Sequence, residues 1–245
     1  MRFLFWSVKG MGKASRKGQV KEYIAQNNLY MVGLQETKRE DFQDNENELR
    51  ELSVNKPFTW RWSPAKGTSG GILVGIRDDF FELEMCEVHD LYVWIGLRHR
   101  ISNFRFYVVT VYGPAHHELS RYFLQSLSEI INKGSCLPIL FGGDFNLIRE
   151  TKDKNNENLD KGLMDAFNEF IGVNSLREIK RSGSRFSWTN KQLDPVLVNL
   201  ILVSIEWEER FPLCMSWTMT RVRSDHNPVV FESGELGEKA LLVLL

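Results

Sequence analysis

The stretch Pro138–Asn146, PILFGGDFN, indicates most clearly how this chain folds. Its apolar first half predicts a short buried strand, and the two glycines after it let the backbone turn tightly at the strand's end. The side chains of Asp144 and Asn146 would then project into a cleft. An aspartate in that position can take a proton from water or bind a hard cation, and an asparagine can orient a phosphate oxygen. Taken alone, Gly-Gly-Asp is more often an ordinary turn.

The rest of the chain predicts a single domain of the α/β (α+β) class. Helical spacing is visible at Gly18–Gln26 and His116–Asn132. About nine segments are typical of strands, among them Phe3–Val8, Met31–Gln35 and one long strand at Glu82–Leu97. Because many strands follow one another without an intervening helix, we expect two packed β-sheets with helices outside them.

Composition excludes several other classes of protein. The 245 residues are 42% hydrophobic and 26% charged, with a net charge of −1, which is ordinary for a globular domain and excludes a polycationic chain. The apolar runs are too short to cross a membrane, and no signal peptide is recognisable. Three widely spaced cysteines fit neither a disulfide framework nor a zinc site, so we expect an intracellular protein.

Three further motifs place polar side chains at predicted strand ends. Glu36 follows the strand Met31–Gln35 and could ligate Mg²⁺, although a lone glutamate is usually only exposed. Asp225 and His226 precede a short apolar strand and could supply a metal ligand and a phosphate partner, or form a turn with a capping aspartate. Tyr112 ends a strand before a Gly-Pro turn.

In this order, the motifs resemble those of the endonuclease/exonuclease/phosphatase superfamily, which includes apurinic/apyrimidinic endonucleases and deoxyribonuclease I. Within it, the chain is similar to the endonuclease domains of plant LINE-type (non-LTR) retrotransposons. The resemblance runs from about Phe3 to Phe231. It passes through Trp6-Ser7, Leu34-Gln35-Glu36-Thr37, Ser69-Gly70-Gly71, Val111-Tyr112-Gly113-Pro114, Gly142-Gly143-Asp144-Phe145-Asn146, Phe186-Ser187-Trp188-Thr189 and Ser224-Asp225-His226-Asn227-Pro228.

The resemblance implies a four-layered α/β sandwich, two packed mixed β-sheets flanked by helices, with the site at the strand ends. Glu36 would be the main ligand of Mg²⁺, with Mn²⁺ as a possible substitute, and Asp225 would assist it. Asp144 would activate the attacking water. A metal, a base and hydrogen-bond donors are what phosphodiester cleavage needs, because negative charge must be offset and water activated.

The remaining roles implied by the resemblance concern the phosphate and the nucleic acid. Asn146 and Tyr112 would position the phosphate, and His226 would stabilise the charge that develops on phosphorus. Duplex DNA is the expected partner. Its backbone would be bound through phosphate contacts by arginines near the site, namely Arg181, Arg185, Arg221 and Arg223.

Two departures from the family pattern predict reduced activity. The family's opening Trp-Asn is Trp6-Ser7 here, and serine lacks the reach and the two amide donors of asparagine. The family also has a strand reading roughly Leu-Asp-Arg-Phe/Val-Leu-Val-Ser, whose aspartate orients the catalytic histidine. We interpret Val198–Ser204 as that strand with Asp-Arg deleted, so that the aspartate is lost.

These expectations define a domain at 1–232 and a C-terminal tail at 233–245 outside the family pattern. The predicted function is a Mg²⁺-dependent DNA endonuclease domain of retroelement origin, impaired by Ser7 and by the lost aspartate. A phosphomonoesterase acting on a small phosphate ester, or a catalytically inactive nucleic-acid-binding remnant, is the alternative. A nuclear location follows from the resemblance, and neither a membrane nor an obligate protein partner is indicated.

Overall fold

The computed structural model describes residues 1–42, 46–54, 56–134, 136–154, 159–182, 188–189, 195–219 and 225–234. The α-helices and strands of these residues are, in chain order, β1 (Arg2–Ser7), α1 (Ala14–Gln26), β2 (Met31–Gln35), α2 (Glu46–Leu52), β3 (Phe58–Lys66), β4 (Ser69–Arg77), β5 (Phe81–His89), β6 (Tyr92–His99), β7 (Arg105–Tyr112), α3 (Ser120–Lys133), β8 (Ile139–Asp144), α4 (Lys161–Val173), β9 (Arg177–Glu178), β10 (Arg181–Ser182), β11 (Trp188–Thr189), β12 (Pro195–Val196), β13 (Asn199–Val203), α5 (Ile205–Arg210), β14 (Met215–Thr218) and β15 (Val229–Glu232).

The strands form two large mixed sheets. One has seven strands in the order β10-β14-β15-β1-β2-β4-β3, and the other has six in the order β5-β6-β7-β8-β13-β9, while β11 and β12 pair with each other. With helices on their outer faces, the two sheets confirm the predicted α/β sandwich.

The core between the sheets is built by alternating side chains, as strand β1 shows. Phe3 and Phe5 belong to the cluster that also contains Val108 and Leu140 of the six-stranded sheet. The intervening Leu4 and Trp6 belong to a different cluster, on the outer face. Successive side chains of a strand point to opposite faces, so a strand covered on both faces is apolar throughout rather than alternating.

Helices cover the outer faces and complete four layers. Val20 and Ile24 of α1 pack in the outer cluster of the seven-stranded sheet. Phe123 of α3 and Phe167 of α4 pack in the outer cluster of the six-stranded sheet, together with Phe141 of β8. The apolar residues of α3 recur every three or four positions, which places them along one face of the helix.

One strand prediction differs from the structure, because a turn was missed. The single strand predicted at Glu82–Leu97 is two antiparallel strands, β5 and β6, joined by a turn at Asp90 and Leu91. The turn contains neither glycine nor proline, so the strand-like spacing of apolar residues continues through it without interruption. Within the described residues, no helix is long and apolar enough to span a membrane.

The topology brings six strand ends to one edge of the sandwich. β1 and β2 are parallel neighbours in one sheet, and β7 and β8 are parallel neighbours in the other, so each pair ends together. β15 runs antiparallel to β1, and β13 runs antiparallel to β8, so these strands begin where their partners end. Residues far apart in the sequence therefore meet at this edge.

Candidate active site

Asp144 lies at the centre of the edge, at the end of β8. It is only 2% exposed and is flanked in the sheet by Tyr112 on one side and Asn199 on the other. Its Oδ2 accepts a hydrogen bond from Ser7 Oγ at 3.0 Å, and its Oδ1 accepts one from the backbone N–H of Asn146 at 3.1 Å. These donors hold a buried carboxylate in one orientation.

The two glycines before Asp144 have separate structural roles. A Cβ on Gly142 would lie 2.4 Å from the ring of Phe5, so this position lets the two sheets approach. Gly143 has a φ of 136°, a backbone conformation that residues with a Cβ rarely adopt. The tight turn predicted at these glycines is wrong, because both lie within strand β8, which continues to Asp144. The glycines serve the close approach of the two sheets and the positive φ of Gly143 instead.

His226 is 6% exposed and lies next to this carboxylate. Its Nδ1 is 3.6 Å from Asp144 Oδ2 and 3.0 Å from Asn199 Oδ1. With Nδ1 protonated, the ring donates a hydrogen bond to the amide oxygen and turns its other nitrogen, Nε2, away from Asn199. The backbone oxygen of His226 accepts a hydrogen bond from Trp6 Nε1 at 3.1 Å, which fixes the segment before β15.

The predicted deletion in strand β13 is wrong. β13 pairs with β8 without a register shift from Asn199↔Asp144 to Val203↔Leu140. The departure from the family pattern is a substitution instead, because Asn199 occupies the position that faces His226. Its amide can orient the imidazole as a carboxylate would, but it carries no negative charge.

Tyr112 ends β7 beside Asp144. Burial raises the pKa of its phenol far above the usual value, and the negative charges of Glu36, Asp144 and Asp225 raise that pKa further. The hydroxyl therefore stays protonated at any working pH and can donate a hydrogen bond to a phosphate oxygen. The three carboxylates all act on Tyr112, which indicates that they surround one region of the cleft.

Each candidate metal ligand is paired with a lysine. Glu36 Oε1 lies 3.1 Å from Lys38 Nζ, and Asp225 Oδ2 forms an ion pair with Lys9 Nζ. Burial opposes ionisation of Asp225, but the hydrogen bond from Lys9 and nearby positive charge hold the pKa of its carboxyl below the usual range. The Asp225 carboxylate thus carries a negative charge that attracts cations.

The two carboxylates of this edge are of the chemical type that binds a divalent cation. Among the described residues, no three His, Cys, Asp or Glu side chains form a cluster of metal-ligating geometry. Mg²⁺ does not need one, because it keeps several waters and takes one or two carboxylates. Glu36 and Asp225 supply two oxygen ligands of the kind that Mg²⁺ and Mn²⁺ prefer.

Asn146 is tied to the backbone opposite. Its φ is 52°, and its Nδ2 donates a hydrogen bond to Gly113 O at 2.7 Å. One of its two amide N–H groups is therefore already engaged. Its predicted role in positioning a phosphate would have to use the second N–H group.

A cavity of about 670 Å³ opens beside Asn146 and His226. Its walls are mostly apolar, with a few polar groups at the rim. They are formed by Ala115, Leu147, Ile148, Leu163, Met164, Trp188, Val196 and Val198, with His117, Lys154 and Asp160. Such a cavity can hold an organic group attached to the phosphate.

Of the four arginines predicted to contact DNA, only Arg181 lies within the described residues. Arg181 is partly buried, and burial lowers the pKa of its guanidinium to about 10, against the opposing attraction of Glu178 and Asp153. Its proposed contact to the DNA backbone stays a prediction. The predictions for Arg185, Arg221 and Arg223 lie outside the described residues.

Sequence reasoning missed three residues at this edge: Asn199, Lys9 and Lys38. Asn199 was detectable, because Val198–Ser204 matches the family's strand without a gap and has asparagine at the aspartate position. Lys9 and Lys38 lie two residues after Ser7 and Glu36, respectively. No local pattern shows that they pair with carboxylates.

The fold and this edge together define the class of protein, a two-sheet α/β sandwich whose known members are hydrolases that act on phosphate esters. The chain belongs to the endonuclease/exonuclease/phosphatase family, whose sequence profile matches residues 5–226. Enzymes of this family generally use divalent metal ions. No curated protein sequence matches the chain significantly.

Solved structures of the same fold include nucleases and phosphatases. The AP endonuclease LMAP from Leishmania major has a TM-score of 0.75 at 16% identity, over 94% of this chain and 86% of that one. The endonuclease domain of TRAS1, a telomere-specific non-LTR retrotransposon, gives 0.70 at 16% identity, over 94% and 96%. A mannosyl-6-phosphatase from Bacteroides thetaiotaomicron gives 0.63 at 15% identity, over 95% and 98%. These likenesses support the fold alone.

Proposed function

We propose that the chain is a Mg²⁺-dependent phosphodiesterase of the DNA endonuclease type, of retroelement origin, with activity reduced by Ser7 and Asn199. One observation carries the proposal. The buried carboxylate of Asp144 contacts both Ser7 and His226 at the edge where Glu36 and Asp225 also lie. A base, an imidazole, a phenol and a pair of acidic ligands are the groups that phosphodiester hydrolysis needs.

In this mechanism, Asp144 accepts a proton from water as the water oxygen bonds to phosphorus. The phosphorus–oxygen bond to the leaving nucleoside breaks, and the leaving oxygen takes up a proton from solvent water, while Asp144 later returns its proton to solvent. Tyr112 donates a hydrogen bond to a non-bridging oxygen, since its phenol stays protonated. His226, oriented by Asn199, would stabilise the negative charge that develops on the phosphate when both ring nitrogens carry protons, because Nε2–H then donates to a phosphate oxygen. Mg²⁺ or Mn²⁺, held by Glu36 and Asp225, would offset negative charge on the phosphate.

Both departures weaken this machinery without removing it. Ser7 keeps a donor for Asp144 but lacks an amide that could reach a metal or a phosphate. Asn199 orients the ring of His226 but does not stabilise positive charge on it. In serine proteases, which catalyse a different reaction, an Asp-to-Asn change beside the catalytic histidine lowers kcat by about 10⁴.

A nucleic-acid substrate is supported by what the structural neighbours act on. They include two AP endonucleases and a 3′ phosphatase from Neisseria that was solved with its product DNA hairpin. We propose duplex DNA as the substrate, with the domain at 1–232, residues 233–245 as a tail and a nuclear location. The predicted contacts to its backbone remain Arg181, Arg185, Arg221 and Arg223.

The cavity beside His226 favours a second candidate, a phosphomonoesterase. Its volume of about 670 Å³ and its largely apolar wall would accept the organic part of a small phosphate ester. The same metal ligands and base serve both reactions, so the surroundings of the cleft decide between them. A catalytically inactive nucleic-acid-binding remnant is the third possibility.

One set of assays tests these functions. Purified protein is incubated with supercoiled plasmid and Mg²⁺, beside an EDTA control and Asp144→Ala. We expect slow nicking that EDTA and the substitution both abolish. Release of nitrophenol from p-nitrophenyl phosphate without nicking would favour the phosphomonoesterase. If the folded protein catalyses neither reaction, both enzymatic functions are refuted. DNA binding with a steep salt dependence would then identify the catalytically inactive nucleic-acid-binding remnant.

A further inference from the structure

Lys9, which follows strand β1, places its ammonium group on a candidate metal ligand. Its Nζ forms an ion pair with Asp225 Oδ2, although 216 residues separate the two in sequence. The backbone holds Lys9 at this place. Val8 N–H donates to Gln35 O at 2.9 Å and Gly10 N–H donates to Glu36 O at 2.7 Å, one on each side of Lys9.

The backbone conformation of Lys9 supports a specific role. Its φ is 54°, in the left-handed region that is uncommon for a residue with a Cβ and adds strain. The side chain of Lys9 is 53% exposed, whereas that of Asp225 is 18% exposed. The backbone is thus fixed, while the ammonium group has room to leave the carboxylate.

A divalent cation at Asp225 would meet this ammonium group. The ammonium group and the divalent cation would bind the same carboxylate, and two positive groups a few ångströms apart repel each other. Lys38 makes a similar contact with Glu36 at 3.1 Å, but it comes from the same short segment as its partner. Lys9 lies 216 residues from Asp225 in the sequence, so its contact is not a local one and it is the independent competitor.

We infer that Lys9 competes with the divalent cation for Asp225 and thereby sets a weak affinity of this site for metal. This inference rests on the proposed function, because it requires that Glu36 and Asp225 bind the cation. In the metal-free protein the lysine occupies Asp225. When the cation binds, the ammonium group moves to solvent or to an anionic substrate.

The test measures Mn²⁺ binding to the full chain directly, by calorimetry and by electron paramagnetic resonance of free Mn²⁺. Lys9→Met keeps most of the length of the side chain and removes the charge. Lys13→Met is the matched control, since Lys13 is an exposed lysine just before α1 and removes the same charge from the same region. Glu36→Gln identifies binding at the proposed site.

We expect Lys9→Met to lower the dissociation constant for Mn²⁺ about tenfold and Lys13→Met to lower it less than about threefold. Glu36→Gln should weaken binding in either background. Equal effects of Lys9→Met and Lys13→Met, or weaker binding by Lys9→Met, would overturn the competition while leaving the metal site intact. Mn²⁺ binding that Glu36→Gln does not change, in both the original chain and Lys9→Met, would overturn the metal site and the inference together.

Discussion

Replacing Asn199 with aspartate should restore much of the proposed activity. In the native chain, the amide oxygen of Asn199 lies 3.0 Å from Nδ1 of a histidine that is 6% exposed. A carboxylate in the same place would add a negative charge about 4 Å from the imidazole. Two unit charges at that distance interact by about 4 kcal/mol at an effective dielectric constant of about 20.

The net gain is smaller than this, because Asp144 lies opposite Asn199 in the sheet. Two neighbouring carboxylates repel each other, and part of the interaction is lost to that repulsion. We therefore expect Asn199→Asp to raise the rate of plasmid nicking about 10²-fold, equivalent to about 2.7 kcal/mol of the activation free energy.

The assay is single-turnover nicking of supercoiled plasmid at saturating Mg²⁺. Asn199→Ala is the matched control, since it removes the amide without adding charge and should lower the rate. The thermal midpoint of each variant shows whether it is folded. An unchanged rate in folded Asn199→Asp, or an equal increase in Asn199→Ala, would refute the assignment of Asn199 as the residue that orients His226.

Further expectations concern stability and reactivity. Gly142→Ala should lower the free energy of unfolding, measured in urea, by about 2 kcal/mol or more, because its Cβ would lie 2.4 Å from the Phe5 ring. Gly18→Ala is the control, since Gly18 lies in helix α1 and a Cβ there would meet no heavy atom within 4 Å. It should raise the free energy of unfolding by up to about 1 kcal/mol. Ser7→Ala should lower it by about 1–2 kcal/mol, since a buried carboxylate loses a donor at 3.0 Å; no loss would argue against that bond. Burial raises the pKa of the Cys214 thiol to about 11. The rate of its alkylation by iodoacetamide, followed by mass spectrometry, should therefore rise about tenfold per pH unit from pH 7 to pH 10. A plateau of that rate near pH 9 would contradict the raised pKa.

The sequence predicts the fold well where a strand has a buried, apolar pattern and an abrupt end. PILFGGDFN identifies β8 and the position of Asp144 because an apolar run stops at two glycines. The turn between β5 and β6 has no such signal and was missed. Two-residue strands such as β9 and β10 carry no recognisable period, because their pairing is decided by the neighbouring strands.

The site is less predictable, because tertiary contacts decide it. Motifs at strand ends identify Asp144, Glu36 and His226, since parallel neighbours must end at the same edge. The partner of His226 comes from an antiparallel strand whose register is set by β8, and an assumed deletion concealed Asn199. How far a charged side chain such as Arg181 is exposed also depends on packing between distant segments, which a run of basic residues in the sequence does not show.

Under the proposed function, the two departures keep the fold while weakening its chemistry. Ser7 and Asn199 are both fully or almost fully buried, where an unsatisfied polar group would destabilise the protein. Each nevertheless keeps a hydrogen bond, Ser7 to Asp144 and Asn199 to His226. The folded state therefore loses little. Catalysis depends on how strongly these groups respond to charge that exists only in the transition state, and a neutral amide beside His226 responds less than a carboxylate. Stability and activity are thus separable at these two positions, so Asn199→Asp should change the nicking rate far more than the thermal midpoint.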